Sequence, residues 1–167
     1  MRSESVDSDF AAFVQARQHR LLRSAFLVCG DHHLAEDLLQ GALVKLALRW
    51  ERVREGDPEA FLRTVMYRDA VSWWRRFHRE TPRGSPPETE AAGREDVPSR
   101  LVFADALRRL PPRQRAVLVL RYFDDLTEAR TAEILGVTVG TVKSQASAGL
   151  RKLRELMPEI GEMAERG

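Results

Sequence analysis

The chain has 167 residues, with 27 Lys plus Arg against 25 Asp plus Glu and a formal net charge of +2. That length suits one ordinary domain or two small ones, and the 43% apolar and 31% charged content excludes a disordered polyelectrolyte while leaving enough to fill a core. A single cysteine, Cys29, excludes an internal disulfide and a multi-cysteine zinc site, so the expected location is cytoplasmic. The start carries Glu4, Asp7 and Asp9, and no run approaches ~18 apolar residues, so neither a secretion signal nor membrane insertion is expected. Aromatic residues are only 7%, while Leu, Ala, Arg and Glu abound. The expected fold class is therefore all-α.

The apolar positions Phe10, Phe13, Val14, Leu21, Leu22, Ala25 and Phe26 recur at three and four residues and predict a first helix closed by Gly30. Asp31 is placed to cap a second helix, with Glu36 and Asp37 in its first turns and a stripe at Leu38, Leu39, Ala42, Leu43, Leu46 and Trp50. Asp57-Pro58 predicts the start of a third helix, which runs through Phe61, Leu62, Val65 and Met66 to about Arg79. Three such stripes make a three-helix bundle over residues 1–79.

Residues 80–99, ETPRGSPPETEAAGREDVPS, carry four prolines and no large apolar residue but Val97, the composition of a flexible linker. The second small domain is expected over 100–158, with a short tail at 159–167 and no appended regulatory domain. Ser99 is a candidate cap, and Pro111-Pro112 ends one helix and starts the next, whose inner face is Ala116, Val117 and Leu120. Thr127 caps a helix that ends at Leu135, Gly136 supplies a left-handed turn, and Thr138 caps a helix that runs to Met157, with Val139, Val142 and Leu150 facing inward. Short helix, glycine turn and longer helix form a helix-turn-helix.

In a helix-turn-helix the second helix enters the major groove by its N-terminal end, which here presents Thr141, Lys143, Ser144 and Gln145. Gln pairs with adenine edges, Ser and Thr with most edges, and Lys with guanine or phosphate. A helical hairpin with a solvated basic face is the alternative. On the third helix Arg63, Arg68, Arg75, Arg76 and Arg79 accompany Trp73 and Trp74, a basic surface with aromatic platforms that suits single-stranded nucleic acid. Equally, either Trp can pack into the bundle. Glu36 and Asp37 can serve the helix dipole or face a basic partner. His19, Cys29, His32 and His33 lack ligand spacing, and no catalytic constellation stands out, so neither metal, cofactor nor enzymatic activity is expected.

AEDLLQ at 35–40, VSWWRR at 71–76, LPPRQRAVLVLRYF at 110–123 and AEILGVTVGTVKS at 132–144 together resemble the extracytoplasmic-function (ECF) sigma factors of the sigma-70 family. The likeness covers residues 8–157 and is similar to the branch often labelled SigE-like. It implies that Glu36, Asp37, Leu39, Gln40 and Leu43 dock on the clamp helices of the RNA polymerase β′ subunit. It implies that Arg68, Trp73, Arg75, Arg76 and Arg79 capture the melted minus-10 strand. Thr138, Thr141, Lys143, Ser144, Gln145 and Arg151 would read the minus-35 duplex, with that domain resting on the β flap. An anti-sigma partner is also implied.

Several positions depart from the family pattern: Gly41 for Glu, Arg68 for Asn, Arg130-Thr131 for Glu-Ile, Gln145 for Arg, and Ala148-Gly149 for Arg-Ala. Fewer phosphate cations predict weaker minus-35 binding with a flatter salt dependence. Two other readings remain at this point: a polymerase-independent helix-turn-helix regulator, and a sigma-like competitor that has lost promoter reading.

Overall fold

The computed structural model describes residues 2–80 and 98–157, with side chains over 5–77 and 102–157. The described residues form α1 (Arg2–Cys29), α2 (His32–Ala47), α3 (Trp50–Val53), α4 (Pro58–Glu80), α5 (Pro98–Arg108), α6 (Pro112–Leu118), a π-helical segment (Val119–Phe123), α7 (Glu128–Leu135) and α8 (Val139–Leu156). Residues 81–97 and 158–167, the body of the expected linker and the tail, lie outside the described residues.

Local chemistry sets most boundaries. Gly30 adopts φ +74° and donates its N–H to Phe26 O at 2.7 Å, ending α1. The Asp31 carboxylate accepts the Leu34 N–H at 2.9 Å, and Asp57 accepts that of Ala60 at 2.9 Å. Thr127 and Thr138 cap α7 and α8 by accepting the N–H groups of Arg130 and Thr141, each at 3.1 Å, and Gly136 turns between them at φ +66°. Each side-chain oxygen satisfies a backbone donor that the helix itself leaves unpaired.

Four expectations shift. α1 begins at Arg2 rather than near Phe10, and Val6 packs against the same core as Phe10. Glu36 and Asp37 lie beyond the first turn of α2, which is capped by Asp31. α5 starts at Pro98, so Ser99 lies inside it. Val139 is 39% exposed, whereas Val142 is fully buried. The π-helical segment was not anticipated; Asp124 donates its N–H to Val119 O at 2.9 Å, an i to i+5 bond that leaves no periodic signature in sequence.

One apolar cluster belongs wholly to α1–α4, with Leu21, Ala35, Leu46, Leu62 and Met66 at its centre and Trp50 closing one end. Phe10 meets Trp50 edge-on at 5.2 Å between ring centroids, a favoured aromatic geometry. A second cluster joins the halves: Val28, Leu38, Tyr67 and Ala70 pack with Leu107, Leu110, Leu120, Ile134 and Leu153. A small third cluster, Val117, Ala132 and Val142, belongs to the second half. Gly149 is buried, and a Cβ there would stand 3.1 Å from Leu118 Cδ1. Glycine thus lets α8 close on α6.

Candidate nucleic-acid interface

The cations of α4 separate by helix geometry. Arg68, Arg75 and Arg76 are exposed and, with Val71 and Ser72, line a cleft of about 430 Å³ whose walls include Tyr67 and Leu135 of α7. Trp73 lies ~140° around the helix from Arg68; it is half-buried and stacks on Phe77 at 5.3 Å with 11° between ring planes. Arg63 does not belong to the basic face. It is 3% exposed, donating to Asp124 at 2.5 Å and to Glu59 at 2.7 Å. Arg79 is in α4, but its side chain lies outside the described residues.

On α8 the candidates also divide. Thr138, Lys143, Ser144 and Arg151 are exposed, while Thr141 and Gln145 are half-buried. The Thr138 and Thr141 hydroxyls lie 2.9 Å apart, and Ser144 donates to Thr141 O at 3.0 Å. Lys143 sits 3.7 Å from Glu128 and lines a shallow cleft with Arg121, Tyr122 and Arg154. Gln145, ~160° round from Lys143, lines a different cleft of about 510 Å³ with Val71, Trp74, Arg75, Pro111 and Gln114. Arg75 of α4 and Gln145 of α8 therefore face the same space.

On α2, Glu36, Asp37 and Gln40 are exposed and Leu43 is half-buried. Leu39 is 4% exposed and packs in the α1–α4 core, so its side chain points away from the exposed Glu36, Asp37 and Gln40; it continues the inward row of Ala35, Ala42 and Leu46. Val44 and Leu48 are 60% and 81% exposed and extend the outer row of Asp37 and Gln40. Their four-residue spacing off the buried stripe was the available signal.

Sequence reasoning missed a buried polar group between the halves. Asp124 accepts from Ser24 Oγ at 2.7 Å, Arg63 Nη1 at 2.5 Å and Tyr67 Oη at 3.2 Å. Burial raises the Asp124 carboxyl above its ordinary value, while Arg63 and the two hydroxyls favour the ionised form. Burial likewise raises the Tyr67 phenol, with the neighbouring Asp124 charge adding to it. Arg115, 3% exposed, donates to Val28 O at 2.7 Å, Leu110 O at 3.1 Å and Arg108 O at 3.2 Å, and burial lowers it to about 10. Burial pushes the nearby Cys29 thiol up to about 11. Only Glu59, four residues before Arg63, hinted in sequence that this arginine would be paired.

The profile for Sigma-70 region 2 matches residues 13–80, and that for Sigma-70, region 4 matches residues 100–153. The chain is 39% identical to the RNA polymerase sigma-E factor of Streptomyces coelicolor, over 88% of this chain and 85% of the relative. The chain belongs to the sigma-70 family, as an ECF sigma factor. The ECF sigma factor SigL of Mycobacterium tuberculosis is 33% identical, covering 84% of each chain. SigE of Mycolicibacterium smegmatis is 28% identical, over 84% of this chain and 59% of the relative. The fold is shared with RpoE of Bartonella quintana, solved in complex with the anti-sigma factor NepR, at a TM-score of 0.75 and 24% identity over 90% of this chain and 98% of that one. As an ECF sigma factor, the protein directs promoter-specific transcription initiation; an independent regulator and a promoter-blind competitor are not favoured. Among the described residues no helix is long and apolar enough to cross a membrane.

Proposed function

We propose that residues 1–79 hold the melted minus-10 strand and the core polymerase, and that residues 100–158 read the minus-35 duplex. The single observation that carries this division is the grouping of Arg68, Arg75 and Arg76 on one exposed face of α4. Phosphate contacts by these arginines, with stacking by Trp73, stabilise splayed bases; each stack contributes ~1–3 kcal/mol. On α8, Thr138, Thr141, Ser144 and Gln145 contact base edges and phosphates from the N-terminal end, while Lys143 and Arg151 supply sequence-independent attraction. Glu36, Asp37, Gln40 and Leu43, extended by the exposed Val44 and Leu48, dock on the β′ clamp, and the second half rests on the β flap. The polymerase supplies the metal chemistry of polymerisation, and the setting is the cytoplasm. An anti-sigma factor binds the chain, in keeping with the complex of RpoE with the anti-sigma factor NepR.

The test pairs two double variants in reconstituted initiation. Lys143→Ala with Arg151→Ala weakens duplex binding across all sequences and lowers the salt slope by ~2. Arg68→Ala with Trp73→Ala leaves duplex binding intact and reduces strand opening, read by permanganate footprinting. Failure of both pairs at the same step, or failure of the chain to bind core polymerase, overturns the assignment.

A further inference from the structure

We propose that the cleft lined by α4, α6 and α8 is a binding site for a small aromatic carboxylate that also carries an N–H or O–H donor. The site goes beyond the function proposed above and stands or falls by ligand binding alone.

At about 510 Å³ the cleft falls within the ~300–1,000 Å³ of small-molecule sites, and its lining divides by chemistry. Val71, Trp74, Pro111 and Pro112 supply apolar walls, of which Trp74 and Pro112 are half-buried. Rigid aromatic and proline surfaces suit a planar ring, which gives up little conformational freedom on entering. Arg75 and Arg113 belong to the same lining and are exposed. Neither has a hydrogen-bond or ion-pair partner among the described residues, and no carboxylate lines the cleft there. Two uncompensated guanidinium groups beside an apolar surface call for an anion, and their planar fork matches a carboxylate.

Gln114 adds a third requirement. Its Oε1 is buried and has no hydrogen-bond partner among the described residues, although nearly all buried polar atoms have one. An acceptor left dry in this way favours a ligand that brings a donor. The stem of Gln114 is held against α8, since a Cβ at Gly149 would stand 3.4 Å from Gln114 Cβ. Its terminal torsion is broad, so the amide turns toward a donor in the cleft at little cost. Two departures from the family pattern meet at this wall. Gly149 lets α8 close on α6, and Gln145 lines the cleft with a neutral amide, where the usual arginine would add a longer side chain and a third cation. The mainly apolar walls and the single pair of cations suit a singly charged aromatic acid better than a more highly charged nucleotide.

The experiment titrates the full chain by isothermal calorimetry with three matched probes: indole-3-acetate, which has the ring, the charge and an N–H; naphthalene-1-acetate, which lacks the N–H; and indole-3-ethanol, which lacks the charge. Indole-3-acetate is expected to fill one site with a Kd between ~10 μM and ~1 mM. Loss of the N–H is expected to weaken binding about fivefold, and loss of the charge about tenfold. Arg113→Ala, at an exposed position, is expected to weaken both carboxylates about threefold and to leave indole-3-ethanol unchanged. Gln114→Met, close in size but without the acceptor, is expected to erase the difference between the two carboxylates. Circular dichroism checks that each variant keeps its helical signal, and the three probes on the parent chain carry the test should a variant lose it. The proposal is overturned by the absence of a saturable site for indole-3-acetate, by equal affinity for the three probes, or by tighter binding of adenosine monophosphate than of indole-3-acetate. Parental affinities in both folded variants overturn it as well. Neither polymerase nor DNA enters the titration, so none of these outcomes bears on the sigma-factor reading.

Discussion

The two halves of the chain fill their interiors differently. The first closes a core on itself, from Leu21, Ala35, Leu46, Leu62 and Met66, all contributed by α1, α2 and α4. Among the described residues, the second has only Val117, Ala132 and Val142 as a buried cluster of its own; the rest of its buried apolar surface is shared with Val28, Leu38, Tyr67 and Ala70. Most buried polar residues follow the same division, since Ser24, Arg63, Arg115 and Asp124 gather at the junction, with Thr131 apart from them. A unit this small buries a lower fraction of its surface than a larger domain. The difference teaches that the first half is the platform and the second borrows from it.

The largest test of that asymmetry is Leu62→Ala, at a fully buried position of the first core. It should cost ~2–5 kcal/mol and lower the protection of α6–α8 amides together with those of α1–α4 in hydrogen exchange. Undiminished protection in α6–α8 would break the comparison. Within the second half, Thr131 is fully buried and its hydroxyl lacks a hydrogen-bond partner. Replacing it by Val removes an unsatisfied group at nearly constant shape, and should raise stability by ~1 kcal/mol in urea unfolding. Gly41→Ala, with nothing within 4 Å of the new Cβ, should add ~0.5–1 kcal/mol. Gly149→Ala must displace Leu118, so its gain in thermal midpoint should be smaller than that of Gly41→Ala.

The smallest expected effect is in pH dependence. Burial tends to raise the Glu59 carboxyl, but hydrogen bonds and charge from Arg63 and Arg17 outweigh it and hold the group below its ordinary 4.5. A depressed carboxylate stabilises the fold above its ordinary value and loses that contribution as pH falls through the depressed one. Glu59→Gln should therefore lower the urea midpoint near neutrality and show less further loss on acidification than the parent. An identical pH profile would remove Glu59 from the ties that steady Arg63 beneath the second half.

Much of the first half was readable because its rules are local. Asp31 and Asp57 announce α2 and α4 by accepting nearby backbone N–H groups, and in the second half Thr127, Gly136 and Thr138 do the same for the helix-turn-helix. The candidate site was partly readable. Spacings of seven and eight residues, two helical turns, put Arg75 and Arg76 on the face of Arg68, yet the run of cations along the helix also included Arg63, which the fold turns inward. Leu39 was misplaced for a related reason: a motif names a position on a helix, but the helix's apolar stripe decides which way the side chain points.

By itself, the sequence determined the helical class, the capped boundaries, the helix-turn-helix and the family, since each depends on contacts within a few residues or on motif order along the chain. Only the tertiary structure decided that Asp124 finds Arg63 and Ser24, that Arg115 finds Val28, and that the faces of α4 and α8 meet across one cleft. Those pairings join residues separated by 61, 100 and 87 positions, and helical periodicity carries no record of which distant surface a stripe will meet.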